Sequence, residues 1–222
     1  CGVPVRPRED PFIFGQKPSI WSAVYRRAFL AENGIRFLPT PGAAFQDTSF
    51  SFKAYACAER VVYVHDPVLA YRQDNEGSSV NASNKVYCVC EEYAEIERWL
   101  SAEAPARFGA DAAARLLRSA LVAKYDSYMW SYVRLAPQFH VEFLERMADE
   151  YRRALDAGEV ALDDLKPWKR ANLKGILRDP EAWERANASY ATAGPAGRAL
   201  HYLKLGGPGL LLAYARNRLG HE

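Results

Sequence analysis

The hydrophobic pattern of this chain changes once, near Asn84, and that change restricts the folds it can adopt. Beyond Asn84, apolar residues recur every three to four positions over long stretches, which is the period of an amphipathic helix. This spacing predicts three long helices, over 85–102, 111–135 and 138–157. Asp163 or Asp164 and then Asp179-Pro180 are start signals for shorter helical pieces. We therefore expect an all-helical portion after the change.

Before Asn84, short apolar runs alternate with turn residues. Three short runs are predicted strands, at 12–14, 60–65 and 68–72. Two longer runs are predicted helices, at 21–32 and 47–60. Asn33-Gly34 ends the first of these helices, because glycine and asparagine are common just after a helix C-terminus. The whole pattern predicts an α/β fold class, α+β-like and helix-rich, with a first domain over 1–83 and a helical appendage over 84–222.

Composition excludes several function classes. Of the 222 residues, 49% are hydrophobic and 13% aromatic, so the chain can build a packed core and is not disordered. A net charge of +2 gives no overall basic field for nucleic acid, and no nucleic-acid partner is expected. The four cysteines have no metal-ligand spacing, so we expect reduced thiols and a cytoplasmic location. The longest nearly apolar run, 206–215, is too short to cross a bilayer.

Five short segments between residues 10 and 100 carry the most specific signal. Their centre is Phe45-Gln46-Asp47-Thr48-Ser49. In this order and spacing the set resembles the acceptor half of the family 2 glycosyltransferases, which are inverting enzymes with the GT-A fold. The resemblance implies that residues 1–83 are the C-terminal part of a GT-A-like domain and form part of its sheet. The other four segments are Pro18-Ser19-Ile20-Trp21, Asn33-Gly34-Ile35-Arg36-Phe37, Leu69-Ala70-Tyr71-Arg72 and Gly77-Ser78-Ser79.

The resemblance implies that Asp47 is the catalytic base. Inverting transfer needs a group that takes the proton of the acceptor hydroxyl, and a carboxylate fixed at a helix start is suited to this. Gln46 stands where the family more often has a second carboxylate, and it is expected to contact substrate. The alternative is structural, because aspartate is also among the best residues for capping a helix N-terminus.

The resemblance also implies substrate contacts at three further positions. Trp21 is expected to stack on a sugar face, or else to anchor its helix to the sheet. Arg72 is expected to pair with phosphate, and Ser78 to lie in a loop over the donor. Their structural alternatives are a surface ion pair and a helix cap. His65, at the end of a predicted strand, is either a structural residue or a metal ligand.

A GT-A enzyme carries its nucleotide-binding strands and an Asp-x-Asp metal motif in its N-terminal half, and neither occurs in this sequence. We therefore expect this chain to be part of a longer glycosyltransferase. That parent would use a nucleotide-sugar donor, a glycan or lipid-linked hydroxyl acceptor and Mg²⁺ or Mn²⁺. The chain alone is expected to be inactive and to hold no metal. A degenerate, non-catalytic domain of a larger polymerising enzyme remains an alternative.

The segment 197–219 combines seven leucines with four cations, a composition that fits the surface of a lipid bilayer. It fits equally a helix packed on its own domain or on a partner. Gly206-Gly207-Pro208-Gly209 is expected to break the helix in the middle. A peripheral position at the inner face of the membrane is therefore possible for the parent. A non-catalytic helical interaction module, or a membrane-surface module, is the alternative function.

Overall fold

The computed structural model describes residues 2–39, 45–67, 69–70, 85–191 and 194–218. The chain forms two compact units, Cys1–Leu135 and Ala136–Glu222. The first unit contains two short strands and five helices among its described residues: β1 (Pro4–Val5), β2 (Val61–Val62), α1 (Arg27–Glu32), α2 (Asp47–Cys57), α3 (Cys88–Ala102), α4 (Ala104–Phe108) and α5 (Ala110–Tyr132). Three single 3₁₀ turns complete this part: Pro7–Glu9, Pro11–Gly15 and Ile20–Ser22.

The core of the first unit lies between α2, α3 and α5. Ile96 and Leu100 of α3 and Leu121 and Tyr128 of α5 are almost completely buried. Helix α2 is unusual because nine of its eleven residues are buried, so it has no solvent face. Its buried Lys53 is paired with Glu95 of α3. Helix α2 is therefore held by packing along most of its length.

The predicted α/β class with a partial GT-A-type sheet is wrong. Among the described residues the only sheet is a two-residue antiparallel pair, in which Pro4 faces Val62 and Val5 faces Val61. The predicted strand at 12–14 is a 3₁₀ turn instead. Pro11 begins that turn, and the Asp10 carboxylate accepts a hydrogen bond from the Phe12 backbone N–H at 3.1 Å. The helix-rich part of the prediction is confirmed.

The predicted helix over 21–32 is interrupted. A 3₁₀ turn ends at Ser22, residues 23–26 are not helical, and α1 begins only at Arg27. The stop signal at Asn33-Gly34 is confirmed, because Gly34 has φ +62° and the N–H groups of Gly34 and Ile35 donate to the carbonyls of Ala31 and Leu30. Much of the predicted strand 68–72 and the proposed boundary near residue 83 lie outside the described residues.

The second unit is helical throughout its described residues. Its elements are α6 (His140–Asp156), α7 (Pro167–Arg178), α8 (Pro180–Ala191) and α9 (Pro195–Arg218), with 3₁₀ turns at Pro137–Phe139 and Leu162–Asp164. Phe143 and Met147 of α6 and Ile176 of α7 are fully buried at its centre. Gly175 allows α7 to approach α8, since a Cβ there would lie 2.6 Å from Cδ1 of Trp183.

Helix α9 contains the predicted break. Gly206 (φ −159°, ψ 21°) and Gly207 (φ 72°, ψ −171°) are non-helical, and Pro208 follows, so α9 is two helices, 195–205 and 208–218. We call these two segments the tail helix pair. Throughout the described part of the chain, every helix is either too short or too polar to cross a membrane.

Candidate functional site

A cavity of about 360 Å³ lies in the first unit, between the N-terminus of α2 and one face of α5. The 3₁₀ turn at Pro11–Gly15 and part of α3 complete its wall. Two sequence-predicted residues, Asp47 and Trp21, line the same cavity. The structure thus brings together the predicted base and the predicted sugar-stacking aromatic, although they are far apart in sequence.

Asp47 is the first residue of α2 and is half-buried. Burial raises the pKa of its carboxyl above the ordinary value, while a hydrogen bond from its own backbone N–H and the charge of Lys17 oppose that shift. Two residues earlier, Phe45 has φ 61°, a left-handed conformation that is uncommon for a bulky residue. The Phe45 carbonyl accepts from the Thr48 N–H at 2.9 Å, which closes the turn into the helix.

The N-terminus of α2 is capped by a residue from another helix. The carboxylate of Glu92, in α3, accepts a hydrogen bond from the Ser49 backbone N–H at 3.0 Å. Glu92 is only 1% exposed, and burial raises the pKa of its carboxyl. The N-cap position itself is occupied by Gln46, whose side chain makes no capping hydrogen bond. The capping role is therefore filled from α3, and the Asp47 side chain is left to face the cavity.

Trp21 lies in the 3₁₀ turn Ile20–Ser22 and is 38% exposed. Ser22 holds this turn, because its backbone N–H and its hydroxyl both donate to the Ser19 carbonyl, at 2.9 and 2.8 Å. Trp21 also borders a larger cavity of about 1700 Å³ on its other side. A half-exposed indole between two cavities suits contact with a ligand better than the alternative role of a buried anchor.

Helix α5 supplies site residues that the sequence reasoning missed. Ala123, Asp126, Ser127 and Trp130 follow one another at helical spacing and line the cavity together. The Ser127 hydroxyl is 2.8 Å from the hydroxyl of Tyr93 in α3. The sequence signal was the polar pair Asp126-Ser127, which lies among the tyrosines of the same helix.

Trp130 has a different environment from the aromatic residues near it on α5. Tyr125, Tyr128 and Tyr132 are buried. Trp130 instead lines the cavity, with its ring edge-on to Phe45 at 5.7 Å and the Arg134 guanidinium 3.7 Å from its centre. The cavity therefore has an indole contributed by α5 in addition to Trp21.

Two further predicted residues, Gln46 and His65, are not part of the wall of this cavity. Gln46 is half-buried at the N-cap of α2 and is not part of the cavity wall. His65 is exposed and also lies away from the cavity. Arg72 and Ser78 lie outside the described residues, so their predicted contacts stay predictions.

No metal site forms in the part of the chain that the structure describes. No group of three or more His, Cys, Asp or Glu side chains there is arranged to hold a cation. The residues present therefore do not fit the Mg²⁺ or Mn²⁺ that the resemblance implies for the parent.

The larger cavity is rich in arginine. Six arginines and three glutamates line it. Arg6 and Arg8 pair with Glu59, Arg6 also with Glu9, and Arg26 pairs with Glu32. The three other arginines, Arg60, Arg107 and Arg115, make no ion pair with any described residue. This wall is therefore suited to an anionic group.

Comparisons of the chain with protein-family models, with curated proteins and with solved structures find no match.

Proposed function

We propose that this chain is the acceptor-side part of an inverting glycosyltransferase, which moves a sugar from a nucleotide-sugar to a hydroxyl of a glycan or lipid-linked acceptor. One observation carries the proposal. Asp47 lines a cavity with two tryptophans, Trp21 and Trp130, while Glu92 takes over the capping of its helix. The ordered sequence segments around Asp47 supply the reaction class.

In the proposed reaction, the acceptor hydroxyl oxygen forms a bond to the anomeric carbon as the bond from that carbon to the donor phosphate breaks. The electron pair of the broken bond leaves with the nucleoside diphosphate. Asp47, in its ionised form, receives the hydroxyl proton. Because burial raises the pKa of Asp47, the carboxylate is a stronger base than an exposed aspartate.

The tryptophans supply the binding surface for the acceptor. Sugar rings present apolar C–H faces, and an indole offers a flat apolar surface of matching size. Trp21 contributes such a surface from the 3₁₀ turn and Trp130 contributes another from α5. Arg60, Arg107 and Arg115 of the adjoining cavity, which form no ion pair with a described residue, favour an acceptor or donor that carries an anionic group.

The test is Asp47→Asn in the full-length gene product, measured as nucleoside diphosphate release from a panel of nucleotide-sugars with the host glycan fraction as acceptor. We expect kcat to fall about 10²- to 10⁴-fold with donor affinity unchanged, because the amide cannot accept the proton. Asp66→Asn is the matched control, since Asp66 is an exposed aspartate outside the cavity. It should leave transfer unchanged.

The second cavity carboxylate provides the decisive comparison. Asp126 is exposed on α5 and reaches the cavity from the opposite wall. If Asp126→Asn abolishes transfer while Asp47→Asn does not, the base has been misassigned. If both variants transfer sugar at the full rate, the cavity has no part in the reaction.

A further inference from the structure

The tail helix pair leaves large apolar side chains in solvent. Leu200 is 49% exposed, Leu203 41% and Leu212 59%, whereas Tyr202 and Leu210 beside them are buried at 5% and 7%. A helix that packed only on its own unit would bury its leucines first, because leaving a leucine side chain in water costs more free energy than leaving a polar one there. These leucines are therefore free for another apolar phase.

The two halves of the tail fold back on each other. The rings of Tyr202 and Tyr214 stack with centroids 3.9 Å apart. In one straight helix, twelve residues would separate them by about 18 Å along the axis. Gly207, at φ 72°, allows the sharp bend, and the absent Cβ of Gly206 leaves space for Leu210, whose Cδ2 would lie 2.7 Å from it.

The halves also repeat one pattern around the stacked tyrosines. Two residues before each tyrosine is an exposed leucine, Leu200 or Leu212, and two residues after it is an exposed cation, Lys204 or Arg216. Leucine and cation are four residues apart, so they lie on the same face of their helix. Each half therefore presents apolar surface next to a positive charge and packs its tyrosine against the other half.

The net positive charge of the tail helix pair and its surroundings indicates which kind of apolar surface it would bind. No aspartate or glutamate occurs between Glu184 and Glu222, although the chain has 27 acidic residues in all. The same interval contains five cations: Arg185, Arg198, Lys204, Arg216 and Arg218. Among the described residues, Lys204 and Arg216 make no ion pair. An unbalanced positive charge beside exposed leucines matches a bilayer surface that carries anionic lipids.

We propose that the tail helix pair binds the surface of an anionic membrane, with Leu200, Leu203 and Leu212 entering the headgroup boundary and Lys204 and Arg216 near lipid phosphates. The helices lie on the membrane and do not cross it. This proposal is independent of glycosyl transfer, because it rests only on residues of the second unit.

The test is co-sedimentation of the whole 222-residue chain with vesicles. One vesicle population is phosphatidylcholine alone, and the other is equal parts phosphatidylcholine and phosphatidylglycerol. We expect binding to the anionic vesicles at least about tenfold tighter than to the neutral ones, and a marked loss of that preference at high salt.

Two double variants separate the apolar and the charged contributions. Leu203→Gln with Leu212→Gln should weaken binding to both vesicle types about tenfold or more, because both side chains are already exposed and their loss removes only membrane contact. Lys204→Gln with Arg216→Gln should remove the preference for anionic vesicles. The matched control is Lys174→Gln with Arg178→Gln, two exposed cations on α7, and it should bind as the unmodified chain does.

Three results would overturn the proposal. The first is no binding to either vesicle type, and the second is an equal loss in the α7 control. The third is self-association in light scattering that the Leu203 and Leu212 changes abolish, since this would show that the leucines serve a contact between copies of the chain.

Discussion

Removing Glu92 should loosen the start of α2, whereas removing the charge of Asp47 should not. The Glu92 carboxylate receives the Ser49 N–H at 3.0 Å and is 1% exposed. Glu92→Ala deletes this acceptor and leaves a first-turn amide without its partner. Asp47→Asn leaves the contact intact, because Asp47 is the first residue of the helix and does not receive the Ser49 N–H.

The magnitudes follow from the contacts. A buried hydrogen bond to a charged group contributes about 1.5–3 kcal/mol, and burial of the carboxylate, seen in the raised pKa of Glu92, offsets part of that. Loss of the side-chain methylenes adds a further destabilising part. We expect a net loss of about 2 kcal/mol, which corresponds to a roughly 30-fold larger equilibrium constant for opening of the first turn. Asp47→Asn should change stability by less than about 1 kcal/mol, since it removes only a helix-dipole contribution.

Amide hydrogen exchange of α2, followed by mass spectrometry, measures this local opening directly. Peptides that contain the Ser49 amide should exchange faster in Glu92→Ala and at the unmodified rate in Asp47→Asn. Glu92→Gln is the control, because its amide oxygen can still accept from Ser49. Faster exchange in Asp47→Asn than in Glu92→Ala would refute the reasoning, since Asp47 would then be the cap of its own helix.

Three further outcomes follow from the structure. Because the pKa of Glu92 is raised, the folded state disfavours its ionised form, and this carboxyl's contribution to the free energy of unfolding should fall as pH rises above the ordinary value of 4.5. In urea unfolding measured across pH, Glu92→Gln should lack this pH-dependent contribution. Gly175→Ala should destabilise the second unit by about 1–3 kcal/mol in urea, because its Cβ would lie 2.6 Å from Trp183, whereas Gly15→Ala has open space and serves as the control. Calorimetry of this chain alone with UDP and Mn²⁺ should give no micromolar affinity, since the described residues form no metal site, and a micromolar value would show that the donor site has been misplaced.

The long helices were predictable, whereas only one predicted strand, 60–65, contains an observed one, β2 (Val61–Val62). Helices α3, α5 and α6 begin and end within three residues of their predicted limits, because a long apolar period leaves little choice of structure. The run at 12–14 has no such length. Its conformation is decided by Pro11 and by the Asp10 carboxylate on the Phe12 N–H, which turn the chain before a strand can form.

The site was predictable only where local sequence controls it. Asp47, at a helix start, and Trp21, at the start of a predicted helix, were identified from the short segments that carry the family resemblance, and both line the cavity. Trp130 and Asp126 lie on a helix whose orientation depends on packing against α3, which no local pattern reveals. The capping of α2 by Glu92 was missed for the same reason, because the two residues that form the contact are 43 positions apart.

Glu92, and not Asp47, accepts the first-turn hydrogen bond of α2, and this connects the fold to the proposed chemistry. A carboxylate that caps its own helix is held by several N–H groups, which stabilise its ionised form and lower its pKa. A base needs the opposite, a carboxylate with few donors in a partly dry cavity. Glu92 supplies the helix with an acceptor from α3. Burial then raises the pKa of Asp47, the property that proton transfer from an acceptor hydroxyl requires.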